Sequence, residues 1–255
     1  MRLIYIRAFR LSKLYFYILL TASAALLLGL NSVFANNEIS PATSWAVANR
    51  TIVIDPGHGG IDPGAVGFNG LEEKEIVLQI SKRLKQVLTH AGAKVVMTRE
   101  TDIDYGTPGS GSLLKRKRED LSKRVAMAND NNASVFLSIH VNAFPSSRWS
   151  GAQTFYQSKE AEGKLLAECI QSELIRIMGN TTRAAKHSDF YATRNTKMPG
   201  VIVEVGFISN PAEAKLLKSA AYQRKIAYAI YSGLAKYYAE ELKEKGESSE
   251  TKKTE

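Results

Sequence analysis

Four short stretches of this sequence hold the residues best suited to carry chemistry. They are Asp55-Pro56-Gly57-His58, Glu72-Glu73-Lys74-Glu75, Ser138-Ile139-His140, and Glu204 inside Val203-Glu204-Val205. Two histidines and a carboxylate from separate segments match the nitrogen and oxygen donors that zinc accepts, and three such ligands leave the open position a catalytic site needs. A further carboxylate could then take a proton from water and return it to a leaving amine. Each residue also has an ordinary reading. His58 in a glycine-rich turn and His140 at a strand end are common structural positions, and Glu73 suits the positive end of a helix. Glu204 is harder to dismiss, because a carboxylate in an apolar strand is costly without a metal or a cation beside it.

Other chemistries lack their parts. The stretch from Gly57 to Gly67 is rich in glycine but has no Gly-Lys-Ser/Thr ending, and Asp62 stands where a dinucleotide fingerprint needs its third glycine. No Gly-x-Ser-x-Gly elbow is present. The single cysteine, Cys169, rules out an internal disulfide framework and a zinc site built on several thiolates. It falls in a helical apolar stripe and reads as a reduced core residue.

The elements that must position these groups alternate. Residues 51–55, 94–98, 134–140 and 200–205 are short runs rich in β-branched residues, suited to buried parallel strands. Between them Ile76, Ile80, Leu84, Val87 and Leu88 share a helical face, as do Leu114, Leu121, Val125 and Ala128. Leu165, Leu166, Cys169, Ile170, Leu174 and Ile177 form a third stripe, and residues 226–242 supply the last helix. The pattern predicts a single α/β domain over residues 49–242, with helices covering both faces of the sheet. The polar groups fall at strand ends, where open α/β sheets place their sites.

Around that domain, residues 1–35 combine four basic residues and no acid with a long apolar run, the parts of an export signal. The uncharged stretch from Leu14 to Asn37 is also long enough to span a bilayer. A cleaved signal and a retained anchor that contacts the membrane are therefore both open, with the remainder of the chain outside the cytoplasm in either case. Residues 36–48 read as a linker and residues 243–255 as a disordered polar tail. The formal charge is +9, and the basic segment at the start carries nearly half of that excess. The basic run from Leu114 to Arg124 has few aromatic neighbours and reads as a solvated helix face suited to an anionic wall or membrane, so nucleic acid is not an expected partner.

Taken together, TIVIDPGHGGIDPGAVG, GLEEKEIVL, SVFLSIHVNA and MPGVIVEVGFISNPAEAKLL resemble the zinc-dependent N-acetylmuramoyl-L-alanine amidases, the amidase type 3 family, over residues 51–240. The stretches SGAQTFY and NTTRAAK are similar to those of its germination-specific spore-cortex members. The resemblance implies a mainly parallel sheet of about six strands flanked by helices, with zinc as cofactor and peptidoglycan as substrate. It implies His58, Glu73 and His140 as metal ligands, with Glu72 the neighbouring alternative to Glu73, and Glu204 as the catalytic base and acid. It further implies release of the intact stem peptide, followed by a separate muramic acid deacetylase on the way to muramic-δ-lactam. His187 is a candidate for substrate contact, and Arg194 receives no role. Two other functions fit the same residues: a catalytically silent metal-binding wall module, and a zinc peptidase acting on stem peptides.

Overall fold

The computed structural model describes residues 15–23, 45–68, 70–109, 111–157 and 161–251. Residues 15–23 are helical, and no helix among the described residues is long and apolar enough to cross a membrane. The rest of the expected export segment and most of the linker lie outside the described residues.

Six strands form one sheet in the order β2-β1-β3-β6-β4-β5. They are β1 (Thr51–Pro56), β2 (Lys94–Met97), β3 (Val135–Asn142), β4 (Gln153–Tyr156), β5 (Lys186–His187) and β6 (Gly200–Phe207). The first four in that order run parallel, β4 pairs antiparallel with β6, and β5 runs parallel to β4. The central strands are apolar along most of their length because both faces are covered. α1 (Glu73–His90) packs on β1, β2 and β3, and α3 (Ala161–Glu173) packs on β4 and β6. Both lie against the long terminal helix α6 (Ala220–Thr251), and Cys169 is buried in that layer. On the opposite face, Val53 and Phe136 pack with Val125 and Ala128 of α2 (Leu113–Asp130) and with Ala192 of α4 (Tyr191–Asn195). A further helix, α5 (Pro211–Leu217), begins with Pro211 behind an Asn210 cap whose side chain accepts from the Ala212 and Glu213 amides at 3.0 Å.

Side chains alternate along a strand, so the face that carries Val53 also carries Asp55, and the one that carries Phe136 also carries Ser138 and His140. Ser138 lies opposite Ile202 and His140 opposite Glu204 in the β3–β6 register. The polar ends of these strands therefore emerge together on the α2 and α4 face.

Two readings of the sequence need correction. α6 continues to Thr251, so residues 243–251 have helical backbone where composition predicts a disordered tail. Lys and Glu propagate a helix well once it is nucleated, and residues 226–242 supply the nucleus. The basic run on α2 is only in part a solvated face. Arg116 grips Asp104 with two hydrogen bonds at 2.9 and 2.8 Å, Lys117 pairs with Asp62 at 2.7 Å, and Arg124 is 1% exposed. Lys115, Arg118 and Lys123 remain on the surface.

Candidate active site

β1 delivers its chain into a turn at Pro56-Gly57-His58 that is held by an unusual amount of positive charge. Arg99 donates to the Pro56 carbonyl at 3.0 Å and to the Gly57 carbonyl at 2.8 Å. Arg124 donates to the Pro56 carbonyl at 2.7 Å and to the His58 carbonyl at 2.6 Å. Both guanidiniums are buried. The turn needs this bracing because His58 sits at φ 59°, a left-handed conformation that side chains rarely adopt. The charge of Arg124 is answered by Asp120 at 2.9 Å and Asp55 at 3.0 Å. Asp55 also accepts from Thr98 at 2.6 Å and Ser138 at 2.7 Å. Burial alone would raise the Asp55 pKa, but Arg124 and the two hydroxyls hold it below 3.8.

His58 and His140 come together edge to face, with ring centroids 4.9 Å apart. Glu73, the first residue of α1, reaches between them. Its Oε2 lies 3.2 Å from His58 Nε2, and its Oε1 lies 3.0 Å from His140 Nδ1. The carboxylate also accepts the amides of Ala65 and Val141, each at 2.8 Å. Burial opposes the charged form, but the two imidazoles draw the Glu73 pKa well below the usual carboxylate range. Glu72, its neighbour in sequence, instead pairs with Lys74 at 3.3 Å. Donor atoms of His58, Glu73 and His140 all lie within 4.8 Å of one another. This donor set, two imidazoles and one carboxylate, fits a zinc ion.

Space at this point is limited by the path of the backbone. A Cβ on Gly57 would fall 2.3 Å from His140 Cε1, so only glycine lets the imidazole lie against the turn. Gly64 has φ 70°, and a Cβ there would fall 2.6 Å from Glu73 Oε2.

Behind His58, Asp62 Oδ2 lies 2.8 Å from Nδ1 and leaves Nε2 directed at Glu73. Burial disfavours the imidazolium, yet the Asp62 and Glu73 carboxylates raise the His58 pKa to about 9. Asp62 is itself fixed by Lys117 and by the Gly64 amide at 3.2 Å. Such outer partners orient a metal-binding imidazole and set which nitrogen is free.

Glu204 completes the cluster from β6. Its Oε2 is enclosed and makes no hydrogen bond. Burial pushes its pKa up to about 7, opposed by the His140 and His58 imidazoles and reinforced by the Glu73 charge. His58, His140 and Glu204 line one cavity of about 320 Å³, whose other wall is formed by Leu121, Phe190, Tyr191 and Ala192. A carboxylate with one oxygen enclosed in this way, beside a candidate metal cluster, is suited to moving protons at neutral pH.

The remaining sequence candidates lie elsewhere. His187 is on the exposed β5, 3.3 Å from Gln157. Arg194 pairs with Asp189 at 2.7 Å. The reading of the sequence gave no site role to Arg99, Arg124, Asp55 or Asp62, although Asp55 and Arg124 lie in stretches it singled out. A signal for Arg124 was available, since it lies three residues after Leu121 and four before Ala128, within the buried stripe of its helix.

Comparison with known proteins gives a consistent result. The Amidase_3 family, N-acetylmuramoyl-L-alanine amidase, matches residues 52–236. A germination-specific N-acetylmuramoyl-L-alanine amidase of Bacillus subtilis is 45% identical over 208 residues, covering 81% of this chain and 87% of the relative. The solved CwlD amidase from Clostridioides difficile, in complex with the GerS lipoprotein, superposes with a TM-score of 0.73 at 40% identity, covering 75% of this chain and 99% of that one. The catalytic domain of CwlV, an N-acetylmuramoyl-L-alanine amidase from Bacillus (Paenibacillus) polymyxa var. colistinus, gives 0.65 at 32% identity, covering 74% and 97%.

Proposed function

Because this chain belongs to the N-acetylmuramoyl-L-alanine amidase family, we propose that it is an exported zinc enzyme that releases stem peptides from peptidoglycan and acts in the spore cortex, a reading supported by its likeness to a relative named as germination-specific. Cleavage at the amide between N-acetylmuramic acid and L-alanine is the activity of the family. The observation that carries the finer reading is the enclosed, unpartnered Glu204 oxygen next to the His58–Glu73–His140 cluster.

In this reading His58, Glu73 and His140 hold the metal. Zinc bound there would supply a Lewis acid that activates water and draws charge from the scissile carbonyl. Glu204 takes the proton of the attacking water and later passes it to the amine of L-alanine. A pKa of about 7 suits both halves of that transfer. Asp62 holds His58 through Nδ1, and Arg99 and Arg124 hold the turn that presents it. Residues 49–242 form the catalytic domain. The basic and apolar composition of residues 1–35 supports export, and the intact stem-free muramic acid is a substrate for a later deacetylase towards muramic-δ-lactam. The relative solved with a lipoprotein supports a protein partner for this chain as well.

The test is mass spectrometry of peptidoglycan incubated with the purified, zinc-loaded protein. Intact stem peptide is the expected product, lost on chelation, restored by zinc, and reduced about 10²- to 10⁴-fold in Glu204→Gln. Single amino acids or shortened stems would identify a peptidase instead. Stoichiometric zinc without any product would identify a silent binding module. Spores lacking the protein should lack muramic-δ-lactam.

A further inference from the structure

The wall of the catalytic cavity is shared with a neighbouring space. Leu121 and Tyr191 also line a second cavity, of about 640 Å³, that follows the outer face of α2. Lys115, Arg118 and Lys123 line this second space. Lys123 donates to the Tyr105 carbonyl at 2.7 Å, and the one acid in the lining, Glu119, accepts from the Thr107 amide at 2.9 Å. Lys115 and Arg118 are both exposed along the same face, and no ion pair with a carboxylate joins either of them among the described residues. A space with these two cations on its wall thus adjoins the Glu204 cavity, the two sharing Leu121 and Tyr191.

The two halves of the substrate differ in charge. A stem peptide carries acidic side chains and a terminal carboxylate. The glycan strand carries none, because the lactyl carboxylate of each substituted muramic acid is consumed in the amide. We infer that the stem peptide lies along α2, its carboxylates against Lys115 and Arg118 and its first residue toward Glu204, and that the glycan leaves on the opposite side. This rests on the amidase reading above and adds an orientation and a specificity to it: the enzyme selects stems by their free carboxylates.

The test uses the zinc-loaded full chain and two muramoyl tetrapeptides, one with free stem carboxylates and one with every stem carboxylate amidated. The wild type should show a KM lower by about 3- to 10-fold for the acidic substrate, the range expected of two solvent-exposed charge contacts. In the Lys115→Gln/Arg118→Gln double variant the two KM values should converge, with the change confined to KM for the acidic substrate. Equal KM values in the wild type, or a double variant that keeps the preference, overturn the inference while leaving the amidase reading intact. Failure of the wild type to release stem from either substrate overturns that reading itself. Calorimetry of free acidic stem peptide with Glu204→Gln probes the same contacts without turnover. Its affinity should fall when the double substitution is added, and an unchanged affinity overturns the inference.

Discussion

Glu204 illustrates how a functional group can cost stability. Its folded pKa lies near 7, above the ordinary carboxylate value of 4.5, so the native state holds a proton the unfolded state releases between those values. Stability then falls as pH rises from 4.5 to 7. Metal-free Glu204→Gln should therefore unfold at higher urea than metal-free wild type at about pH 8, by roughly 1–3 kcal/mol, and with little difference at about pH 4. Equal midpoints at the higher pH would contradict the shift. Asp55 has the opposite sign. Its pKa is held below 3.8, so its contribution is complete above that value and is lost as pH falls through its own lower pKa. Asp55→Asn removes one of the two carboxylates that answer the buried Arg124, at a cost of about 3 kcal/mol at neutral pH. That difference should shrink in urea melts below about pH 3. Both acids were visible in the sequence, but only Glu204 drew attention there. An acid inside an apolar strand announces a cost, whereas Asp55 before Pro-Gly resembles any turn residue until Arg124 is seen beneath it.

At the scale of elements, the four long helices and the central strands were legible from periodicity. β4 and β5 were not. β4 has four residues of mixed polarity and β5 has two exposed ones, too few for an alternating pattern to register. Their absence from the sequence reading did not hide the site, because the proposed ligands sit at the ends of β1 and β3 and at the start of α1. What pattern could not supply was the bracing of the β1 turn, since composition treats arginine as a surface residue. The same turn makes a sharp prediction. Gly57→Ala forces a methyl into the space of the His140 ring, and zinc affinity measured by chelator competition should fall about 10- to 100-fold. Unchanged affinity would show that the turn can relax away from the ring.

Considered whole, the molecule separates its tasks between the two faces of one sheet. The α2 and α4 face carries the cavity and the charges, and the α1, α3 and α6 face carries the apolar mass that keeps the sheet in place. The buried Cys169 belongs to the second face, where burial pushes its thiol up to about 11. A thiol that is both enclosed and protonated reacts with alkylating reagents only when that layer opens. Treatment of the native protein with a maleimide should leave activity intact, and labelling should rise along the urea unfolding curve. Labelling that preceded the loss of secondary structure would show the layer opening on its own. The chain thus carries a chemical clock for its own opening, placed on the side of the sheet where stopping it does not stop the enzyme.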